Sequence, residues 1–206
     1  MQMKKFLTLI AIVVVALACN LTSKLKSNSN SSSSSSGTTV NGEPVEKANP
    51  TAAQSAAIAN GQPVKWDQQG ITLTLPRNWS KAEVRNEALT YDGGGAHLSI
   101  SISVMPQMEK LVDISSKAMY DAAKTQQKIG KYDEAKWLEI DGLRGVEFRE
   151  SKQEMAGDIR RLEWQAYRTY AGNTQLVQMI LSTNSGDFSK HDDELYGILY
   201  STKLVH

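Results

Sequence analysis

An α+β domain, with an antiparallel sheet covered by helices, is the fold class this sequence predicts. Three observations predict it. Stretches of period-two apolar alternation follow one another across two-residue turn signals, the pattern of hairpins. Helical periodicity is confined to two segments, one midway along the globular part and one at its end. Strands and helices do not alternate one for one, as a doubly wound parallel sheet requires.

Val64 to Trp66 reads as a short strand. Ile71, Leu73 and Leu75 alternate with Thr72 and Thr74 in a second strand, ended by Pro76. The turn Pro76-Arg77-Asn78-Trp79-Ser80 returns an indole to the core. Leu89 to Tyr91 leads into Gly93-Gly94-Gly95. The clearest strand follows, with Leu98, Ile100, Ile102 and Val104 on one face and His97, Ser99, Ser101 and Ser103 on the other. Asp113 is positioned to cap a helix running to about Ile129, closed by Gly130. Its apolar stripe is Ile114, Ala118, Ala122, Thr125 and Ile129, whose small alanines would allow close packing on a sheet. Asp141-Gly142 is a hairpin signal between Trp137–Ile140 and Leu143–Glu150. After Gly157-Asp158, a long strand spans Ile159 to Tyr170. Gly172-Asn173 turns into a last strand, Leu176 to Ser182. A final helix starts at Asp187 or Ser189 and carries Phe188, Leu195, Ile198 and Leu199 as its apolar side.

The N-terminal part is organised differently. Lys4 and Lys5 precede the apolar run Phe6–Ala18, whose 13 residues reach roughly 20 Å as a helix, short of a bilayer core of roughly 30 Å. Residues 1–18 therefore read as a signal peptide. Cys19, the only cysteine in the chain, lies at the processing point. Ala16-Leu17-Ala18 satisfies an ordinary A-x-A cleavage rule, which would release a soluble secreted protein. The stretch also resembles a bacterial lipobox, with small Ala18 before the cysteine and Ala16 and Leu17 in reversed order. That resemblance implies lipidation at Cys19, and a doubly acylated cysteine anchors stably. Residues 19–60, including the six serines Ser31–Ser36 and the stretch TAAQSAAIAN, have few groups able to fill a core. They are expected to form a disordered linker, with an end-to-end distance of about 35 Å for about 40 residues, in which the TAAQSAAIAN piece could form a transient helical turn. The globular domain is placed at 61–206, where 18 basic against 20 acidic residues leave no basic stripe for nucleic acid.

Ile71-Thr-Leu-Thr-Leu-Pro-Arg-Asn-Trp79, Ile140-Asp-Gly-Leu-Arg-Gly-Val-Glu-Phe148 and the terminal Tyr200-Ser-Thr-Lys-Leu204 resemble the PsbP-like domains over about 62–205. The resemblance implies an α/β/α sandwich and, for bacterial members, secreted or lipid-anchored proteins without known catalysis.

The search for chemistry is short. A single cysteine excludes an internal disulfide and any CxxC site. His97, His191 and His206 show no metal-ligand spacing, and neither a metal nor a cofactor is predicted. His97 on a serine-lined strand face invites a nucleophile reading, although no G-x-S-x-G elbow is present. Gly93–Gly95 lacks the GK[ST] ending of a phosphate loop and fits a hairpin better. Asp187 with Asp192-Asp193-Glu194 could attract a cation, but acids are also favoured in a helix's first turns. Arg160, Arg161 and Arg168 could form an anion-binding face, except that Arg160 and Arg161 point oppositely on a strand. The expectation is a lipid-anchored, non-catalytic module of a bacterial envelope, held to a membrane by its N-terminal lipid and binding an envelope protein or small ligand. The alternative is a secreted hydrolase or transferase with a site near His97.

Overall fold

The computed structural model describes residues 38–40 and 42–206. The expected signal peptide, Cys19 and the serine tract lie outside the described residues. In chain order the elements are β1 (Thr39–Val40), β2 (Glu43–Lys47), α1 (Ala52–Ile58), β3 (Gln62–Trp66), β4 (Ile71–Leu75), β5 (Ser80–Val84), β6 (Ala88–Gly93), β7 (Ala96–Val104), α2 (Val112–Lys128), β8 (Tyr132–Ile140), β9 (Leu143–Glu150), β10 (Ile159–Tyr170), β11 (Asn173–Asn184), α3 (Phe188–Tyr200) and β12 (Lys203–Leu204). Nine strands form one sheet in the order β1-β2-β8-β9-β10-β11-β7-β6-β5, and β12-β4-β3 form a small second sheet. All pairings are antiparallel except β2 with β8. The α+β class and the helix-covered antiparallel sheet hold as expected.

Alternation along the strands divides the large sheet into two faces. Leu98, Ile100 and Ile102 on β7 align with Leu181, Met179 and Val177 on β11, and these in turn with Leu162, Trp164 and Ala166 on β10. This face is buried against α3 and the small sheet, through Phe188, Leu195, Ile198 and Leu199 from the helix and Ile71, Leu73 and Leu75 from β4. On the opposite face, Ala135, Trp137, Val146 and Phe148 pack against α2. The hairpins follow their turn residues: Asp141 and Gly142 have φ of 51° and 84°, the left-handed pair that a tight two-residue turn demands.

Expectations in two regions, α2 and residues 39–58, are corrected. The α2 stripe does not face the sheet. Ile114 is 68% exposed and Ile129 63% exposed, while Ser116, Tyr120 and Ala123 are buried. The cause is an aromatic stack: Tyr120 lies flat on Trp137, with centroids 4.8 Å apart and planes at 13°. That single large contact sets the rotation of the helix, and the Ala-rich stripe turns outward. Asp113 does not cap α2 either; it occupies the first turn and pairs with Arg144 at 3.0 Å.

The second correction concerns residues 39–58, expected in the linker. Val45–Lys47 pairs in parallel with Trp137–Glu139, burying Val45. Thr51 and Gln54 close a capping box at the start of α1. α1 lies against α3 where Gly197 permits close approach; a Cβ there would sit 2.5 Å from the Gln54 carbonyl oxygen. A polar segment with one buried valine is thus held by partners about 90 to 140 residues later in the chain.

Replacing Tyr120 with alanine is expected to cost on the order of 3 kcal/mol, and Ile114→Ser less than about 0.5 kcal/mol. Urea unfolding of both variants checks the assignment. Equal losses would contradict the observed helix rotation.

Candidate functional site

The most unusual group in the fold is Glu147 on β9. Its strand alternation puts Val146 and Phe148 on the α2 side and Glu147 on the side of α3, in register with Lys136 on β8 and Trp164 on β10. Glu147 is 0% exposed. The Tyr196 hydroxyl donates to its Oε1 at 3.0 Å, and Lys136 Nζ stands 3.8 Å from that atom. Oε2 has no hydrogen-bond partner among the described residues. Lys136 also bridges Glu46 of β2 and Glu134, each at 3.0 Å. Arg149 donates to Tyr196 Oη at 3.1 Å and pairs with Asp133 at 2.8 Å; Asp133 also receives Arg160.

The electrostatics follow from burial. Desolvation pushes the Glu147 carboxyl up to about 7, against the pull of Lys136. Burial also disfavours ionised Glu134, but Lys136, Arg149 and Tyr196 outweigh it and hold that carboxyl below its ordinary value. Lys136 loses solvation too, yet Glu147, Glu134 and Glu46 together raise it. Tyr196 is raised by burial and then by Glu147. The cluster ties β2, β8, β9 and α3 into one unit. No sequence motif marks Glu147: on a strand ending Val-Glu-Phe-Arg-Glu it reads as a solvent-facing acid, and only Trp164 and Tyr196 close over it.

A second feature lies on the other face of the large sheet. α2 packs over β8, β9 and the near edge of β10; β11, β7 and β6 carry no helix on that side among the described residues. The exposed platform holds Tyr167, Leu176, Gln178, Ile180, Ser99 and Ser101, all half-buried by their neighbours. Gln165 and Gln178 both donate to Glu163, and Ser101 donates to Gln178 Oε1 at 3.3 Å. A cleft of about 550 Å³ at the platform's edge is lined by Arg85, Asn86, Glu87, Ala88, Ser101, Ile102 and Ser103.

His97 stands at the far end of the same platform, opposite Ser182. Its Nδ1 lies 2.6 Å from Asp92 Oδ1, with 42% and 58% of the two side chains exposed. Asp92 can orient the ring, but among the described residues no serine hydroxyl bonds to it, and it does not line the cleft. The serine row and His97 share a face as expected, without forming a nucleophile–base pair.

Other flagged residues are placed as follows. Gly94 and Gly95, at φ 61° and 87°, make the hairpin between β6 and β7. Asp187 pairs with Lys190, Asp192 approaches Arg149 at 3.9 Å, and Glu194 accepts from Trp79 Nε1 at 3.1 Å. Among the described residues no group of three or more His, Cys, Asp or Glu could hold a metal ion. The three arginines are separated: Arg160 stacks over Phe188, Arg161 pairs with Glu150, and buried Arg168 binds Gln175, Gln69 O and Val205 O. Each is engaged by other groups of the fold, Arg161 at the surface, and they form no shared anion-binding face.

The sequence matches no protein-family model and no curated protein. Among solved structures, cyanobacterial PsbP (CyanoP) from Synechocystis aligns at a TM-score of 0.50 and 16% identity, over 70% of this chain and 92% of that one. The fold is therefore PsbP-like, as the sequence resemblance implied. LpqN, described as involved in cell envelope biogenesis of Mycobacterium tuberculosis, aligns at 0.46 and 12% identity, over 72% of this chain and 95% of its own. The Ran-binding protein Mog1p of Saccharomyces cerevisiae aligns at 0.43 and 11% identity, over 71% and 96%. These two likenesses are too slight to bear on function.

Glu147 makes stability depend on pH with a definite sign. Its folded value of about 7 exceeds the ordinary carboxyl value of 4.5, so folding takes up a proton between them. Its contribution is complete below about pH 4.5 and is lost as pH rises through about 7. Glu147→Gln is expected to change stability little at pH 5 and to add up to about 3 kcal/mol at pH 8. Denaturant midpoints at the two pH values measure this; a Gln variant weaker than wild type at pH 8 would contradict it.

Proposed function

We propose that this protein is a lipid-anchored, non-catalytic binding module of a bacterial cell envelope, docking a protein partner on the uncovered half of its large sheet. The observation that carries the reading is that platform. Among the described residues, the β11, β7 and β6 part of this sheet face is left without a covering helix, and Leu176 and Ile180 on β11, with Tyr167 on neighbouring β10, lie among amide and hydroxyl groups. Mixed aromatic, aliphatic and neutral polar surface of this kind suits a protein interface, where charged groups are depleted at the core. Glu163, the acid within it, is already hydrogen-bonded to Gln165 and Gln178. The anchor rests on the sequence: the apolar run, the processing point and Cys19 lie ahead of the described domain. No helix among the described residues is long and apolar enough to cross a membrane.

Mass spectrometry of the membrane-extracted chain is expected to show diacylglyceryl mass on Cys19; a mature chain with a free thiol at that position removes the anchor. Gln178→Arg places a charge at the platform centre and is expected to reduce cross-linking to the partner at least about tenfold, the effect of losing an interface hot spot. His97→Ala should leave that cross-linking intact. A reversal of these two outcomes would favour the site near His97.

A further inference from the structure

Among the described residues, the outward stripe of α2 is an apolar feature that no other element covers. Leu111, Ile114, Ala118, Ala122, Thr125 and Ile129 are all exposed. From Ile114 to Ile129 they run along roughly 22 Å of helix at 1.5 Å per residue. Lys117 and Lys128 of α2, with Lys110 just ahead of it, run along one side of this stripe, while Lys124 turns inward to the Ala135 carbonyl. The segment 110–131 holds Lys110, Lys117, Lys124, Lys128 and Lys131 against Asp113 and Asp121, a net of +3, in a globular part whose net charge is −2. Both aspartates are engaged, Asp113 by Arg144 and Asp121 by Lys117. Lys110, Lys128 and Lys131 have no ion pair among the described residues.

The start of the described chain lies at the same place. Thr39 and Val40 line one cleft with Ile114, Lys117 and Arg144. Eighteen residues separate Cys19 from Thr38. An acyl group on Cys19 would therefore be attached close in sequence to this edge of the domain.

We propose that the outward face of α2 rests on an anionic lipid surface, its isoleucines entering the headgroup boundary and its lysines facing the lipid phosphates. A helix with an apolar stripe flanked by lysines is the pattern that lies in the plane of such an interface. The assignment deepens the anchored-module reading and rests on it. α2 and the uncovered platform share one side of the sheet, so a partner on the platform has to fit the gap between sheet and bilayer, about one helix diameter deep.

The test uses the acylated chain with Ile114→Cys as its single free thiol, spin-labelled in vesicles. One set is phosphatidylcholine alone; the other contains about one-third phosphatidylglycerol. A label at Glu83→Cys on exposed β5 is the control. The label at 114 is expected to become about tenfold less accessible to a water-soluble relaxation agent in the anionic vesicles, with position 83 unchanged. High salt or Ile129→Glu should reverse the protection. Position 129 is exposed, so unchanged circular dichroism will confirm that this variant folds. Equal accessibility at 114 and 83 in both lipids overturns the proposal. So does spin–spin broadening at 114, which would mean that a second copy covers the stripe. The mass of Cys19 is read in the same preparation. If it carries no acyl group, the anchor fails separately, and the labelled chain with Cys19→Ser is added to the same vesicles, where contact at 114 again decides.

Discussion

Trp164 is the contact on which the rest of the structure depends. It lies at the centre of the large sheet, fully buried, and its indole donates to the Leu138 carbonyl at 3.1 Å. That bond reaches from β10 across β9 to β8. It requires a glycine beneath the ring, because a Cβ at Gly145 would fall 2.6 Å from Trp164 Nε1. Three strands are thereby locked side by side, and one face becomes a floor that must be covered. α3 and the small sheet cover it because their aliphatic residues have nowhere else to be buried.

The buried acid is a consequence of that floor. Glu147 is the register neighbour of Trp164, and once α3 seals over the indole it seals over the carboxyl too. Tyr196 and Lys136 reduce the desolvation cost but leave Oε2 unpartnered. Such a group is expensive in stability. Its neighbours show what the arrangement connects: Lys136 reaches Glu46 on β2, so the strand that carries the N-terminal segment onto the sheet is linked to α3. The two faces of the sheet also differ in kind. One is covered over its central strands by α3 and the small sheet; the other is covered by a helix over only half its width, leaving, among the described residues, a platform and an outward stripe edged by lysines on the same side.

Much of the framework was legible because strand alternation and turn chemistry are local. Ile159–Tyr170 begins and ends as expected, since Gly157-Asp158 and the following turn bound an unbroken period-two run. The last helix buries the predicted Phe188, Leu195, Ile198 and Leu199, because its apolar residues are large and confined to one side. α2 was read with the wrong rotation for the opposite reason. Its weak stripe of alanines competed with a single tyrosine, and the outcome hinged on Trp137, which no helical period reveals. His97 was legible as a residue on the serine face; the Asp92 pairing depends on the hairpin register.

By itself the sequence determined the antiparallel α+β class, the hairpin turns, the terminal helix and the position of the single cysteine ahead of the domain. Periodicity, turn residues and composition act over a few residues, and each of these features needs no more. Only the tertiary structure decided where the domain begins, which side of α2 faces outward, that Glu147 is buried, and that half of one sheet face stays open. Each of those rests on a contact between segments distant in sequence: Val45 with Trp137, Tyr120 with Trp137, Glu147 with Tyr196. Free energy gained by such pairs overrides the local preference of either segment, and that gain exists only once both have been brought together.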